Sequence, residues 1–352
     1  MSRRELVLRA NPNHLGEIEN AFARAAAGIS GDDSADSPYW QLHRSLAGFE
    51  ILDRCRGTIR IRGESGFYFP GRSYSDFEWL NTVDRLLWLW LASGRSRAAP
   101  VDEQTLAFSI PEGRKGFSRF GYAFGRRRTA YDFLRAQYHL ACVAPHLPDD
   151  LRSETKRLAA LEIGSGTGLL ALAMKLRFPN STLVLIDLPE TLVFGSVFLT
   201  TVLPDCSFLF LGDFERDPDS WTGYDFVLLP PRAARRLPAA AFDLALNTDS
   251  MQEMELSAIR GYFDLLRRIL RPHAFFYSSN RVEKWIGSGT TRLADYPYID
   301  GDRDLFSREN LFMRHRWIWK KFHYRVPYPW REPRLGGTMM IQKLTEMRTE
   351  GQ

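Results

Sequence analysis

Hydrophobic residues in the second half of the chain form short unbroken runs separated by longer runs with helical spacing. The short runs predict buried strands over residues 157–163, 183–187, 242–247, 274–278 and 338–344. Helical spacing predicts helices over residues 190–202 and 256–270. Strands that alternate with helices are typical of an α/β fold with a parallel sheet and helices on both faces. Residues 207–211 and 225–229 both remain candidates for the third strand of this sheet.

The first half of the chain has a different pattern. Helical spacing and capping signals predict helices over residues 13–27, 39–52, 75–93 and 129–143, and residues 58–62 alternate like a strand. We therefore expect a mainly helical N-terminal region over residues 1–150, which would bind substrate, act as a lid or dimerise. A second domain would cover residues 151–346, and residues 347–352 would form a tail.

Residues 281–336 interrupt the alternation of strands and helices shortly before the last predicted strand. This stretch is rich in aromatic residues, arginine and histidine, and includes His315, Trp317, Trp319 and His323. Long loops in compact domains are usually functional or disordered, and so many aromatic residues argue against disorder. We interpret the stretch as a long aromatic insertion that forms a substrate lid. The alternative is an arm that packs against the N-terminal region or a second subunit.

Composition and charge limit the classes of function. The 352 residues contain no apolar run near the ~20 residues that span a bilayer, and the N-terminus lacks the apolar core of a signal peptide. Three scattered cysteines form neither a disulfide framework nor a metal-binding spacing. We therefore expect a cytoplasmic protein without a catalytic metal. The net charge of +5 is most simply a solvated basic surface, and it would also suit an anionic small-molecule acceptor. Nucleic acid is less favoured because no nucleic-acid module is recognisable. A homodimer is possible.

The most informative motif directly follows the first predicted strand of the second domain. Glu162 precedes Gly164, Gly166 and Gly168, and an apolar helical segment comes next. Such a turn allows a ligand to approach the backbone, and the following helix presents unpaired N–H groups. The second predicted strand ends in Asp187, about 20 residues further on, where an acid suits a ribose diol. The pattern predicts an adenosine-containing cofactor.

The spacing of the glycines distinguishes between cofactors. Nicotinamide and flavin folds prefer G-x-G-x-x-G, whereas this chain has G-x-G-x-G with an acid two residues earlier. The string from Glu162 to Gly168 resembles the first motif of class I S-adenosylmethionine (SAM) methyltransferases. The resemblance implies a Rossmann-like sheet, SAM as the cofactor and S-adenosylhomocysteine as the product. It also implies a glycine turn beneath the amino-acid end and the ribose of SAM. An NAD-dependent oxidoreductase is the less favoured alternative.

A second motif narrows the resemblance to one family. Residues 247–254 read Asn-Thr-Asp-Ser-Met-Gln-Glu-Met and follow a predicted buried strand. Together with residues 186–190 and 276–281, this string resembles the sugar O-methyltransferase family, over about residues 120–345. The resemblance implies methyl transfer to a hydroxyl of a sugar or sugar-like small molecule. An N- or carboxyl-methyltransferase of a natural-product pathway, for a peptide or nucleoside antibiotic, is the alternative.

Ligands of open α/β sheets bind outside the carboxyl ends of the strands, and this rule selects the candidate residues. We expect cofactor contacts from Glu162, Gly164, Ser165, Gly166, Gly168, Asp187, Leu188, Asp213, Asn247 and Thr248. Asp213 competes with Pro230 for the position after the third strand. We expect acceptor contacts from Arg128, Gln252, Asn280 and Arg281.

A sugar hydroxyl is a poor nucleophile at neutral pH, so a general base would help the transfer. The candidates are Glu253 and Asp249, after the fourth strand, and His315 and His323, in the predicted lid. For Glu253, a carboxylate that is merely favoured by a helix N-terminus is an equally good interpretation. His139 lies on the helix before the first strand, and we expect it to be packed rather than catalytic.

Overall fold

The computed structural model describes residues 3–27, 48–64, 122–124, 127–129, 131–153, 155–313 and 339–349. Its N-terminal part contains the strands β1 (Arg3–Arg9), β2 (Gly48–Asp53), β3 (Thr58–Glu64), β4 (Tyr122–Phe124) and β5 (Arg127–Thr129). The helices of this part are α1 (Leu15–Ala27), α2 (Tyr131–Val143) and α3 (Asp149–Arg152). Strands β1, β3 and β2 form an antiparallel sheet in that order, and β4 pairs with β5.

The N-terminal predictions are confirmed in part. The helices expected at residues 13–27 and 129–143 are present as α1 and α2, and the strand at 58–62 is β3. The helix expected over residues 39–52 is wrong from Gly48 onward, because β2 pairs there with β3. Pairing of Phe49 with Ile61, and of Ile51 with Ile59, gives this segment the period of two that a strand requires. Residues 75–93 lie outside the described residues.

The second part of the chain is built from ten strands and five helices within the described residues. The strands are β6 (Leu158–Ile163), β7 (Ser181–Ile186), β8 (Phe208–Leu209), β9 (Phe226–Leu229), β10 (Phe242–Thr248), β11 (Leu270–Arg281), β12 (Glu283–Trp285), β13 (Thr290–Arg292), β14 (Arg303–Glu309) and β15 (Met340–Glu346). The helices are α4 (Leu169–Arg177), α5 (Pro189–Val202), α6 (Leu211–Arg216), α7 (Pro231–Ala234) and α8 (Leu256–Ile269).

Eight of these strands form one sheet, in the order β14-β15-β11-β10-β6-β7-β9-β8. The pairs from β11 through β8 are all parallel, and β15 runs antiparallel to both of its neighbours. This is the Rossmann-like class I methyltransferase sheet, as predicted. Strand β9 lies beside β7 and therefore occupies the third position, while β8 forms the edge. The last strand, β15, lies one strand in from the opposite edge.

The predicted insertion over residues 281–336 is partly a component of the sheet. Strand β14 pairs with β15 and completes the sheet at its edge, and β12 and β13 form a separate hairpin. The prediction of an insertion is therefore wrong for residues 303–309, which form β14 of the sheet. The aromatic part, residues 314–338, lies outside the described residues, so the lid remains a prediction.

Helices cover both faces of the sheet. Leu246 of β10 and Tyr277 of β11 pack into a core that also contains residues of α2, α4 and α5. Their sequence neighbours Ala245 and Phe276 pack on the opposite face against α8. This alternation follows from the period of two along a strand. Because the strands from β8 to β11 in the sheet are parallel, their carboxyl ends lie together at one end of the sheet. No helix in the described part of the chain is long and apolar enough to cross a membrane.

Helix α1 belongs to the same core as the sheet. Leu15 and Ile18 are buried together with Val197 and other residues of α5. Asn11, just before α1, donates its side-chain N–H to the carbonyl of Thr200 at 3.4 Å. The N-terminal helix therefore packs on the helix that follows β7.

Candidate active site

The glycine turn between β6 and α4 uses its three glycines in different ways. Gly164, Gly166 and Gly168 have φ angles of +72°, +56° and +80°, which other residues rarely adopt. A Cβ at Gly164 would lie 2.0 Å from the Oγ of Ser250, and one at Gly168 would lie 2.8 Å from Leu199. At Gly166 no atom lies within 4 Å of that position. Packing thus requires Gly164 and Gly168, whereas Gly166 borders open space where a ligand can approach the backbone.

Asp187, at the end of β7, is bonded to the glycine turn. Its Oδ2 accepts the backbone N–H of Gly166 at 2.7 Å, and its Oδ1 accepts that of Leu188 at 2.7 Å. Burial raises the pKa of Asp187 to about 6, although both backbone hydrogen bonds act to lower it. Asp187 therefore lies against the glycine turn, and the cofactor contacts of Asp187 and Leu188 stay predictions.

Glu162 carries a buried carboxyl group whose hydrogen bonding is incomplete. The residue is 4% exposed, and its Oε2 has no hydrogen-bond partner among the described residues. Burial, and then the charge of Asp187, raise the pKa of Glu162 well above its usual value. An unpaired buried carboxyl oxygen is costly, and a cationic or hydrogen-bond-donating ligand group would compensate it. The carboxyl groups of Glu162 and Asp187 can accept hydrogen bonds from the ammonium and ribose hydroxyl groups of SAM.

Asn247, at the end of β10, joins neighbouring strands rather than facing a ligand. It is fully buried, and its Nδ2 donates to the carbonyl of Ile163 at 2.9 Å and to the Oγ of Ser250 at 2.5 Å. Its Oδ1 accepts the side-chain N–H of Asn280 at 2.8 Å. These bonds connect the carboxyl ends of β6, β10 and β11. The side chain of Asn247 is therefore used to join the strands, and a contact between this residue and the cofactor stays a prediction.

Gln252 and Asn280 continue the same network. The Oδ1 of Asn280 accepts the backbone N–H of Gln252 at 3.2 Å, and the Oε1 of Gln252 accepts that of Arg281 at 2.7 Å. Asn280 is 0% exposed and Gln252 is 4% exposed. Both were expected to bind the acceptor, but the structure uses their amide groups to fix the loops after β10 and β11. Arg281, which is half-buried at the end of β11, remains a candidate for acceptor contact.

Asp249 connects the end of β10 to helix α2. Its backbone is left-handed, with φ of +62°, and its N–H donates to the carbonyl of Ser279 at 2.9 Å. Its Oδ2 lies 2.7 Å from the Nη1 of Arg135, and both side chains are partly buried. The sequence pattern did not indicate a role for Arg135. Arg135 lies one helical turn before His139, so both residues are on one face of α2.

His139 is packed, as predicted. It is buried, and its Nδ1 lies 2.7 Å from the hydroxyl of Tyr277 in β11. Burial, and then the nearby charge of Arg135, lower its pKa to about 3. His139 is therefore neutral at physiological pH and supports the contact between α2 and the sheet.

Glu253 is a buried carboxylate with a cationic partner. It ends a short 3-10 turn, Met251–Glu253, and contacts the ammonium of Lys284 in β12. Burial raises the pKa of Glu253 to about 7, and the charge and hydrogen bond of Lys284 oppose that shift. The side chains of Glu253 and Lys284 are 8% and 13% exposed. Nothing in the sequence pointed to Lys284, because its segment was interpreted as part of a lid.

Other predicted residues lie at varying distances from this edge of the sheet. Thr248 is half-buried at the end of β10, and Ser165 is buried in the turn. Asp213 lies in α6, after the edge strand β8, where it pairs with Arg216. Because β9 is the third strand, Pro230 and not Asp213 follows it, and the Asp213 prediction is wrong.

Three of the predicted residues cannot be placed by their side chains. The backbone of Arg128 lies in β5, but its side chain lies outside the described part of the chain, and so do both His315 and His323. Among the described residues, no group of three or more His, Cys, Asp or Glu side chains is arranged to hold a metal ion.

Comparisons with known proteins give weak structural similarities. No family model matches the sequence, and no curated protein matches it. A geranyl diphosphate methyltransferase solved with SAM is 12% identical, covers 72% of this chain and 97% of its own, and has a TM-score of 0.41. The YcgJ protein from Bacillus subtilis is 13% identical, with 61% and 99% coverage and a TM-score of 0.37. A SAM-dependent methyltransferase from Mesorhizobium loti is 12% identical, with 59% and 97% coverage and a TM-score of 0.35. The architecture assigned above follows from the strand order and not from these similarities.

Proposed function

We propose that this chain is a SAM-dependent methyltransferase that methylates a hydroxyl of a sugar or sugar-like small molecule. The observation that carries the cofactor is the pair of carboxyl groups, buried Glu162 and half-buried Asp187, at the ends of adjacent strands beside the open space at Gly166. Asp187 would accept hydrogen bonds from the ribose hydroxyls of SAM, and the Glu162 carboxylate would balance the positive charge of the SAM ammonium group. Gly166 would let the backbone approach the cofactor.

The acceptor side of the site is formed by the residues that follow β10. SAM, when bound, supplies a methyl group already activated by a sulfonium, so the chain must mainly position the acceptor oxygen. Glu253 follows β10, which lies beside β6 in the sheet, and so it shares an edge with the glycine turn. With its pKa raised to about 7, Glu253 is matched to accept a hydroxyl proton near neutral pH.

A second candidate function is N- or carboxyl-methylation in a natural-product pathway. The observation that favours it is the set of cations near the ends of β10 and β11, namely Arg135, Arg281 and Lys284. Such cations would attract an acceptor carboxylate, which needs no general base. The same cations would also suit a sugar acceptor with an anionic group.

Binding of S-adenosylhomocysteine tests the cofactor assignment. We expect the wild-type protein to bind it in calorimetry and the Asp187→Ala variant to lose most of that affinity. Asp213→Ala is the matched control, because Asp213 is another acid after a sheet strand but lies at the distant edge. Equal affinity in wild type and Asp187→Ala, or binding of NAD instead, would contradict the proposal.

Methyl transfer from labelled SAM to a panel of compounds tests the acceptor class. The panel contains free sugars, sugar phosphates, nucleotide-linked sugars, amines and carboxylates. If a hydroxyl is the acceptor, Glu253→Gln is expected to lower turnover by about 10²–10⁴-fold, the range for loss of a general base. Glu17→Gln, which makes the same change at an exposed position of α1, should leave turnover unchanged. Full turnover of Glu253→Gln with an amine or carboxylate would favour the second function.

A further inference from the structure

The β12–β13 hairpin, residues 283–292, packs against the loop that carries Glu253. Lys284 in β12 contacts the carboxylate of Glu253. Thr291 in β13 donates its hydroxyl to the carbonyl of Met254 at 2.8 Å. Both strands of the hairpin are therefore attached to neighbouring residues of this loop.

A third contact extends the attachment to the next residue of the loop. The hydroxyl of Ser288, in the turn between β12 and β13, donates to the carboxylate of Glu255. Three consecutive loop residues, 253–255, are thus each bonded to a different residue of the hairpin. The hairpin thereby fixes the position of the Glu253 carboxylate relative to the end of β10.

Lys284 differs from the other charged residues of the hairpin in its burial. Glu283 and Arg292 form a loose pair, 3.9 Å apart, and their side chains are 42% and 58% exposed. The Lys284 side chain is 13% exposed and points to the loop, whereas its neighbour Trp285 is 67% exposed. Removing one partner of a buried ion pair leaves the other charge uncompensated, so an apolar residue in place of Lys284 alone would leave the Glu253 carboxylate buried without this cation. The burial of Lys284 is thus tied to the charge of Glu253.

Among the described residues, Lys284, Arg281 and Asp249 are charged groups that act on Glu253 from the elements packed around it. Lys284 from the hairpin and Arg281 from the end of β11 favour its ionised form, and Asp249 from the end of β10 opposes it. Lys284 has the larger influence of the two cations and also donates a hydrogen bond. The ionisation of Glu253 near neutral pH thus depends mainly on Lys284.

We propose that Lys284 is a positioning residue that holds Glu253 ionised and oriented to receive the proton lost by the acceptor hydroxyl. This inference rests on the proposed function, in which Glu253 is the general base. The acceptor oxygen would form a bond to the methyl carbon as the bond from that carbon to the sulfur of SAM breaks, and the sulfur would keep the electron pair in S-adenosylhomocysteine. The hydroxyl proton would pass to the Glu253 carboxylate, which would then release it to solvent. Lys284 takes no part in the proton transfer itself and acts through its contact with Glu253.

The first test measures the ionisation of Glu253 without turnover. The carboxyl signal of Glu253 is isolated as the infrared difference between the wild-type protein and Glu253→Gln, and it is followed over pH. Lys284→Met is expected to raise the titration midpoint by at least one pH unit, a tenfold change in the proton equilibrium. Arg292→Met removes a cation from the exposed side of the same hairpin and should leave the midpoint in place. An unchanged midpoint in Lys284→Met overturns the inference.

The second test follows the pH profile of kcat/KM with the acceptor found in the panel. In Lys284→Met the acidic limb should move to higher pH by the same amount as the infrared midpoint, and Lys284→Arg should restore it. Thr291→Val, which weakens the attachment of the hairpin but keeps the charge, should lower Tm without moving the limb. It controls for a purely structural effect.

The outcomes separate this inference from the proposed function. A shifted infrared midpoint with an unshifted kinetic limb overturns the inference, because Lys284 would then control a group that the reaction does not use. If the wild-type protein does not bind S-adenosylhomocysteine, the cofactor assignment is rejected instead. Calorimetry measures this binding independently of the Lys284 variants. If Lys284→Met does not fold, Lys284→Gln, which removes the charge but keeps a hydrogen-bond donor, takes its place. Both midpoints should shift together in that variant, and a shift in only one, or in neither, overturns the inference.

Discussion

Asn280 donates a side-chain N–H to the Oδ1 of Asn247 at 2.8 Å, and neither residue has any exposed surface. The bond joins the ends of two parallel strands, β10 and β11, directly below the loops that carry Asp249 and Arg281. The Asn247 and Asn280 side chains, which come from the strings over residues 247–254 and 276–281, therefore help to hold the ends of β10 and β11 in register.

Replacing Asn247 by alanine should reveal this role as a loss of stability. The substitution leaves the carbonyl of Ile163 with one bond fewer and the amide of Asn280 unpaired, and each such loss costs about 1–3 kcal/mol. We expect the free energy of unfolding to fall by about 2–4 kcal/mol in denaturant titrations. Asn13→Ala, at an exposed site, should change it by less than about 0.5 kcal/mol. A similarly small effect of Asn247→Ala would contradict the network.

Two glycines of the turn should respond differently to alanine. Gly164→Ala would place a Cβ 2.0 Å from the Oγ of Ser250, so Tm should fall sharply. Gly166→Ala meets no atom within 4 Å, and its cost is the left-handed backbone alone, about 1–2 kcal/mol. Its methyl group would instead occupy the space proposed for the cofactor. We therefore expect Gly166→Ala to fold and to lose affinity for S-adenosylhomocysteine, as measured by calorimetry. Unchanged affinity would place the cofactor elsewhere.

Protonation of Asp187 should make cofactor binding depend on pH. Folding raises the pKa of Asp187 from its ordinary 3.8 to about 6, so the folded chain disfavours the ionised form. For this group, the stability of the ligand-free protein decreases as pH rises from about 4 to 6, because the unfolded chain loses its proton first. Ribose hydroxyls need the ionised carboxylate, so affinity for S-adenosylhomocysteine should fall below pH 6. Calorimetry between pH 5 and pH 8 should show this fall in wild type and a weaker dependence in Asp187→Asn.

The ion pair between Arg135 and Asp249 should hold helix α2 on the sheet. Its atoms are 2.7 Å apart, and its side chains are 29% and 23% exposed, so water screens it less than a surface pair. Arg135→Met should increase hydrogen exchange in α2 and reduce stability by about 1–2 kcal/mol, between the values for surface and buried pairs. Arg152→Met, which breaks an exposed pair with Asp149, should have little effect. Equal exchange in both variants would contradict this role.

The buried part of the sheet could be predicted because each parallel strand leaves an apolar run. Residues 158–163 and 181–186 are buried throughout, and the sequence marks both clearly. Strand β14 was missed because it is an edge strand with a polar sequence. Its Arg303 pairs with Glu346, and its Asp304 pairs with Lys343 on β15. Charged residues of this kind protect edges from further pairing and also hide the strand from a hydrophobicity pattern.

The site was predictable only where its residues are close in sequence. Glu162, the glycines and Asp187 follow from one strand–turn–helix motif and the strand after it. Lys284 and Arg135 are brought to the loops after β10 by tertiary packing, across 31 and 114 positions of the chain. The sequence pattern around an amide side chain at a strand end is the same whether that side chain contacts a ligand or a neighbouring strand. The structure was needed to show that Asn247 does the latter.

The packing of α1 on α5 has a consequence for how this chain can be divided. Twelve of the 14 residues of α5 are buried, and Leu15 and Ile18 of α1 lie in the same core. A fragment that starts at the predicted boundary near residue 150 would uncover that apolar surface beside the strand that supplies Asp187. Such a fragment would be prone to self-association. Shortened versions of the protein should therefore keep the first 27 residues.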